Sequence, residues 1–189
     1  MTRPWFAGCL AVLTLLGPLS ACGATHTTTV RATDTGRAGA VNTLLQRGIA
    51  QAEANQVSQA ATTFEDVLAV APTNKYALYN LGVIEQDRRD PSAALARYDQ
   101  ALQADTTYTP AMYNKALILE TSDPQQSLAL YRRIVQLNPK ASTAYLRMAI
   151  VYSRENKPTQ ARQAQARAVA LDPSLASYRM PSPCTTANC

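Results

Sequence analysis

The sequence predicts an all-α protein whose main part is built from four copies of a two-helix unit. Two observations carry this prediction. The chain of 189 residues is rich in Ala, Leu, Gln and Arg, which favour helices, and it has few runs of the β-branched and aromatic residues that favour strands. From about residue 41 onward, residues of similar size also recur at a constant spacing. A constant period of about 34 residues is typical of a chain that stacks repeated structural units.

Three series of residues share this period. Small residues recur at intervals of 34, 34 and 33 residues, at Gly48, Gly82, Ala116 and Ala149. A second small series has intervals of 34, 33 and 34, at Ala60, Ala94, Ser127 and Ala161. Larger residues follow the same intervals as the second series, at Phe64, Tyr98, Tyr131 and Gln165. All three series lose one residue in the third unit, which indicates one repeat with a single deletion in the turn near Asp123.

The units are expected at 41–74, 75–108, 109–141 and 142–175. Asp90-Pro91 and Asp123-Pro124 each combine a favourable N-cap with proline in the first helical position, which predicts helix starts there. The expected helices are 41–54, 57–70, 75–88, 91–103, 110–122, 124–137, 142–156 and 159–171, with a short capping helix near 174–180. A tail at 176–189 follows the repeats.

The period and these residue types resemble the tetratricopeptide repeat, a helix-turn-helix unit. The resemblance implies a right-handed α-solenoid with a concave groove lined by the first helix of each unit. It also implies that the small residues at the eighth and twentieth places let the two helices approach, while the aromatic residue at the twenty-fourth place fills the space beside them. Arg47 and Lys115 depart from the family at the seventh place, which is usually apolar.

The resemblance further implies that the fifth and sixth places of each unit face the groove. These places hold candidate partner-binding residues at Tyr79, Asn80, Tyr113, Asn114 and Arg147. An asparagine amide both donates and accepts, so a ladder of them can pair with an extended main chain. Tyrosine adds apolar contact with a polar tip, and arginine can bind a carboxylate. The alternative is that these asparagines and tyrosines only support helix packing.

This groove interpretation gives a mutational expectation. Replacing Asn80 and Asn114 together by alanine should weaken partner binding and leave helicity and melting almost unchanged.

The first 21 residues are expected to be a signal peptide. Arg3 is followed by an apolar run from Trp5 to Leu16, which is shorter than the roughly 20 residues that span a bilayer. The following Leu19-Ser20-Ala21-Cys22 resembles the lipobox of bacterial lipoproteins. That resemblance implies cleavage before Cys22 and attachment of a diacylglyceryl group to its thiol. An ordinary secretory signal or an uncleaved anchor are the alternatives.

Residues 22–40 are expected to be a flexible tether, because they are rich in Thr, Gly and Ala and have no apolar periodicity. Cys184 and Cys189 remain as an even pair in the tail. A disulfide is the simplest interpretation of such a pair in an exported protein, and two free thiols are the alternative.

The chemistry of the chain points away from catalysis. The single histidine, His26, lies in the expected tether, so a Ser-His or Cys-His pair is not expected in the repeat domain. The sequence contains no glycine-rich phosphate loop, and too few ligands cluster for a metal site. Without Arg3, 17 basic residues face 13 acidic ones. They are scattered along the chain, which does not favour nucleic-acid binding. We therefore expect no enzyme activity, cofactor or metal.

The combined expectation is a lipid-anchored protein–protein interaction scaffold in the bacterial cell envelope, on the extracytoplasmic side of a membrane. The outer face of the cell membrane is favoured over the outer membrane. Its partners would be another exported or membrane protein, bound in the groove, and the bilayer, bound through Cys22. An assembly or pilot lipoprotein of a secretion, pilus or cell-wall machine is the alternative. An intracellular chaperone adaptor becomes the candidate if the signal peptide is never cleaved.

Overall fold

The structure is a computed structural model that describes the backbone of residues 25–178 and the side chains of residues 35–178. Over this range the chain is entirely helical, apart from its turns, and forms eight α-helices and a final 3-10 turn. They are α1 (Thr25–Glu53), α2 (Val57–Val70), α3 (Lys75–Asp87), α4 (Pro91–Ala104), α5 (Thr109–Ser122), α6 (Pro124–Leu137), α7 (Ser142–Arg154), α8 (Pro158–Leu171) and the 3-10 turn Pro173–Ser177. The all-α prediction is confirmed.

Helices α2 to α8 begin and end within two residues of the predicted bounds, because local signals in the sequence fix their ends. The carboxylate of Asp90 accepts a hydrogen bond from the Ala93 amide at 2.9 Å. That of Asp123 accepts one from the Gln126 amide, also at 2.9 Å. In both helices proline follows the cap in the first turn, where its missing N–H leaves no hydrogen bond unmade.

The tether is where the structure differs from the sequence prediction. Helix α1 begins at Thr25 rather than near residue 41. The side chains of residues 35–40 are all exposed, so this part of α1 is held by its own backbone hydrogen bonds rather than by packing. Once the buried part of a helix has formed, each further residue adds one hydrogen bond at a small cost, even where composition is unfavourable.

From Ala38 onward the chain forms a compact unit with its own core. Among the described residues, three of the four clusters of buried side chains join two consecutive repeats, and the fourth, around Leu146 and Ile150, lies within unit 4. Phe64 packs with Leu81 between the first and second units, Tyr98 with Ala111 between the second and third, and Tyr131 with Ala149 between the third and fourth. Because these three clusters bridge neighbours, each unit buries apolar surface against the next one.

The recurrent small residues have the packing role expected of them. A Cβ atom added to Gly82 would lie 2.5 Å from the ring of Tyr98, and one added to Gly48 would lie 2.7 Å from the ring of Phe64. Both rings are fully buried. The eighth place of a unit is therefore small because the aromatic residue at the twenty-fourth place occupies the space beside it.

The unusual charges at the seventh place pair with acidic residues of a neighbouring helix. Lys115 on α5 forms an ion pair with Asp99 on α4, and Arg47 on α1 lies 4.0 Å from Asp66 on α2. These departures from the family pattern therefore lie at the edge of the interface between helices and do not interrupt the core.

The turn inside each unit has one recurrent conformation, with an exception in the third unit. Asn55, Arg89 and Asn156 lie at the same place in units 1, 2 and 4, and their φ angles of 58°, 62° and 54° are left-handed. In unit 3 this residue is missing. Asp123 alone connects α5 to α6, as the C-cap of one and the N-cap of the other. The deletion thus lies in the turn where the sequence places it.

None of the helices in the described part of the chain combines the length and apolar character that crossing a bilayer requires.

Candidate partner-binding surface

The predicted groove residues belong to the first helices α3, α5 and α7. Tyr79, Tyr113 and Asn114 line one open pocket of about 400 Å³. The starts of α5 and α7 and the end of α6 form its other walls, with Pro110, Asn138, Lys140 and Thr143 among the lining residues. Asn80 and Arg147 are not part of this lining. The structure therefore brings three of the five predicted residues together.

Asn114 is held at this pocket by two tyrosine hydroxyls. Its amide nitrogen donates to the hydroxyl of Tyr79 and to that of Tyr98, each at 3.3 Å. Tyr98 in turn donates to the side-chain oxygen of Gln86 at 3.0 Å. Burial raises the pKa of Tyr79 above its ordinary value, and raises that of Tyr98 to about 12. Both hydroxyls therefore stay neutral and keep the asparagine oriented across the physiological pH range.

Asn80 occupies the same place one unit earlier and behaves differently. Its amide nitrogen donates to the main-chain oxygen of Tyr76 at 2.8 Å, within its own helix. The residue of unit 1 that corresponds to Tyr98 is Phe64, which has no hydroxyl to accept a hydrogen bond. The two asparagines are thus not equivalent: Asn114 is bonded between units, whereas Asn80 donates within its own helix.

Arg147 is already bound to a carboxylate of this chain. Its Nε and Nη2 atoms each lie 2.7 Å from an oxygen of Glu120. Glu120 is only 5% exposed, and it also accepts from Tyr131 at 2.9 Å and from Arg154 at 3.2 Å. The two-pronged donor face of Arg147 is therefore occupied within the fold, and its binding of a partner's carboxylate stays a prediction.

Glu120 is the residue that the sequence interpretation missed, and a repeated geometry explains its position. In units 2 and 3, the tyrosine at the twenty-fourth place donates to the twelfth place of its own unit, which is Gln86 or Glu120. The residue at the sixth place of the next unit contacts one of these two groups. Asn114 donates to the hydroxyl of Tyr98, and Arg147 donates to the carboxylate of Glu120. The signal in the sequence that could have revealed Glu120 is an acidic residue at the twelfth place of one unit and an arginine at the sixth place of the next unit.

Tyrosine side chains also cluster beside the pocket. The rings of Tyr79 and Tyr108 meet edge to face at 5.6 Å, and those of Tyr76 and Tyr108 at 5.7 Å. Tyr76 is 48% exposed. This cluster offers apolar ring surface together with hydroxyl groups, which suits contact with a polypeptide segment. Of this cluster, the sequence interpretation singled out Tyr79 and did not single out Tyr76 and Tyr108.

The other predicted site residues lie outside the described residues. These are Cys22, the expected lipidation position, and the tail pair Cys184 and Cys189.

Comparison with known proteins extends these observations. The chain is 33% identical over 116 residues to the Photosystem I assembly protein Ycf3 of Cyanophora paradoxa, which covers 54% of this chain and 65% of that protein. It is 32% identical over 79 residues to the probable UDP-N-acetylglucosamine–peptide N-acetylglucosaminyltransferase SPINDLY of Solanum lycopersicum, over 42% of this chain and 8% of that protein. The chain thus spans less than two thirds of either relative.

Solved structures show the same fold at lower identity. The structure of MamA superposes with a TM-score of 0.66 at 20% identity, over 73% of this chain and 81% of that one. PilF of Pseudomonas aeruginosa gives 0.67 at 23% identity, over 74% and 66%. YrrB, described as a TPR protein with an unusual peptide-binding site, gives 0.61 at 16% identity, over 77% and 81%.

The model of one repeat family covers most of the chain. Its two matches span residues 45–109 and 119–176, and so cover parts of all four two-helix units seen in the structure. With small residues against buried rings and a core shared between neighbouring units, the chain belongs to the tetratricopeptide-repeat family.

Proposed function

We propose that this protein is a lipid-anchored scaffold of the bacterial cell envelope that binds an extended segment of a partner protein along its first helices. A tetratricopeptide fold acts as a protein–protein interaction scaffold, because stacked helices present a long continuous surface. Beyond this general role, we propose where the partner binds, that a lipid anchors the protein to a membrane, and that the protein has no enzyme activity.

The open pocket at Tyr79, Tyr113 and Asn114 is the observation that carries the partner site. It combines ring surface with a side-chain amide that two hydroxyls hold in one orientation. A pre-oriented amide loses little freedom on binding, which favours affinity for a polypeptide backbone. Asn138 and Lys140 at the rim add further hydrogen-bonding groups.

Site-specific photo-crosslinking in the native cell tests this site. A photoreactive residue at Thr143, an exposed position of the pocket lining, should capture one exported protein. The matched control is Gln163, which is exposed on α8 away from this pocket. Capture from Thr143 alone, identified by mass spectrometry, supports the proposal. Equal capture from both positions would contradict it.

Substitution of Asn80 and Asn114 gives a second test, and the structure refines its design. Asn114→Ala removes hydrogen bonds to two hydroxyls, so we expect it to lower stability by about 0.5–1.5 kcal/mol as well as weaken binding. Asn80→Ala removes one bond within its own helix and is the cleaner variant. Weaker binding by Asn80→Ala at an unchanged melting temperature supports a groove contact there, whereas normal binding of the double variant would refute the groove.

The anchor is proposed from Leu19-Ser20-Ala21-Cys22 alone. Two or three acyl chains on Cys22 would hold the protein at a membrane almost permanently, since each buried methylene contributes about 0.8 kcal/mol. We expect labelled palmitate to enter the wild-type protein and not a Cys22→Ser variant, which should also leave the membrane fraction. Labelling of the serine variant would place the lipid elsewhere and contradict the proposed site.

A role in assembling a larger machine is the second candidate. One observation favours it: the relative from Cyanophora paradoxa is named as an assembly protein and is 33% identical over 116 residues. An assembly factor should co-purify with subunits of one complex, and its loss should mislocalise a subunit. A general adaptor should instead yield several clients bound transiently.

A further inference from the structure

The second helices of the four units change charge in order along the chain. Helix α2 carries Glu65 and Asp66 and no basic residue, so its side chains sum to −2. Helix α4 carries Arg97 and Asp99 and is neutral. Helices α6 and α8 each carry two arginines and no acid, +2 apiece, at Arg132, Arg133, Arg162 and Arg167. Because the first helices line the groove of a tetratricopeptide solenoid, the second helices belong to its outer face, which becomes basic over units 3 and 4.

The charges of α2 and α4 are compensated within the fold, and the basic charges of α6 and α8 are not. Glu65 pairs with Arg97 between α2 and α4, and Asp99 pairs with Lys115. None of the arginines on α6 and α8 has a salt-bridge partner among the described residues, and all four are exposed. Arg132 contacts the hydroxyl of Tyr152 at 2.9 Å, and the Arg167 guanidinium lies 5.9 Å from the Tyr145 ring. Neither contact removes the positive charge.

The residues around these arginines indicate what kind of ligand they serve. Specific protein interfaces generally centre on buried aromatic or large apolar anchors. Here the neighbouring exposed side chains are mostly small or polar, such as Gln136, Gln163 and Ala166. Leu137, at the end of α6, is the one large apolar side chain exposed on these two helices, at 38%. Several exposed charges with so little exposed apolar surface suit a ligand that presents many negative charges over a wide area. Arginine also binds phosphate oxygens in a two-pronged geometry.

We propose that the exposed arginines of α6 and α8 form a docking surface for the anionic phospholipid headgroups of a membrane. This contact is separate from the lipid anchor and from the partner site. It would hold the outer face of units 3 and 4 against the bilayer and leave the groove open to a protein partner.

Vesicle binding by the compact unit, residues 38–189, tests this surface without the signal segment or the lipidated cysteine. We expect it to bind vesicles that contain phosphatidylglycerol, to bind pure phosphatidylcholine much more weakly, and to be released by salt, since exposed charges are screened. The patch variant Arg133→Gln with Arg167→Gln should weaken vesicle binding roughly thirtyfold, because each arginine near an anionic surface contributes about equally to the binding free energy.

A charge-matched control separates the patch from net charge. Arg88→Gln with Arg89→Gln removes the same two charges from the exposed turn between α3 and α4, and should change binding less than about threefold. Circular dichroism would verify that both variants are folded. Equal losses in both variants would overturn the proposal, as would equal binding to neutral and anionic vesicles. Absence of vesicle binding at low salt would also overturn it and assign the arginines to an acidic protein.

Discussion

The space beside Gly82 is fixed by a ring that cannot move away. Tyr98 is fully buried, and its hydroxyl is bonded to Gln86. Gly82→Ala gains about 1 kcal/mol of helix propensity, but the added methyl group lies 2.5 Å from the ring, and such overpacking costs about 1–3 kcal/mol. We expect a net loss of stability in urea unfolding. Gly39→Ala is the control, since nothing lies within 4 Å of its added Cβ; it should be neutral or stabilising.

Glu120 neutralises two arginines inside the interface between units 3 and 4. Glu120→Gln keeps its shape but leaves Arg147 and Arg154 without a counter-charge. Because both arginines are partly exposed, we expect a loss of about 1–3 kcal/mol rather than the larger cost of a fully buried pair. Chemical denaturation would measure it, and adding Arg147→Gln should recover part of the loss. A loss no greater than that of Glu65→Gln, an exposed pair, would contradict this role.

At the scale of the helical hairpin, the left-handed residues in the turns of units 1, 2 and 4 are not equally strained. Asparagine tolerates this conformation, whereas arginine at φ 62° does so at a cost. Arg89→Gly should therefore raise the free energy of unfolding by roughly 0.5–1 kcal/mol, after the entropic cost of glycine. Asn55→Gly, at φ 58°, should give a smaller gain. A thermal melt that ranks the two variants in the opposite order would refute this explanation.

The pairing of α3 with the end of α4 makes stability depend on acidic pH. Lys75 lies 2.5 Å from Asp105, and its hydrogen bond lowers the pKa of that carboxyl from 3.8 to about 2. A carboxyl with a lowered folded pKa stabilises the fold above its unfolded pKa, and this contribution is lost as pH falls from about 4 to about 2. The melting-temperature difference between wild type and Asp105→Asn should shrink over this range. The difference between wild type and Lys75→Met should shrink over the same pH range. A melting-temperature difference that stays constant with pH would exclude the Lys75–Asp105 pair as the cause of the pH dependence.

At the scale of the whole molecule, the interfaces between units are not equally reinforced. The hydroxyl of Tyr98 accepts from Asn114 between units 2 and 3. Glu120, which is bonded to Tyr131, binds Arg147 between units 3 and 4, whereas Phe64 has no hydroxyl to form such a bridge at the first interface. A repeat protein opens first where the coupling between neighbours is weakest. Hydrogen exchange should therefore show lower protection in α2 than in α4 or α6. Equal protection of all three helices would show that apolar packing alone sets the coupling.

The sequence predicts the helices well because their ends depend on local signals such as Asp90-Pro91, and their packing depends on a period that can be counted. It predicts the candidate site less well. Glu120 and Arg147 lie 27 residues apart on facing helices, so each looks like a free charge when its own unit is considered alone. The structure differs from the tether prediction for another reason. The composition of this segment disfavours a helix, but a helix can extend from a packed segment beside it.

The single-residue connection at Asp123 has a consequence for how this chain can be altered or can diverge. Units 1, 2 and 4 each have a three-residue turn between their helices, exposed in units 1 and 2 and partly exposed in unit 4. A loop or reporter domain can be inserted there at modest entropic cost. In unit 3 the same residue ends one helix and caps the next, so an insertion there would disrupt both. Evolutionary length variation, and any engineered fusion, should accumulate in the other three turns and spare the third.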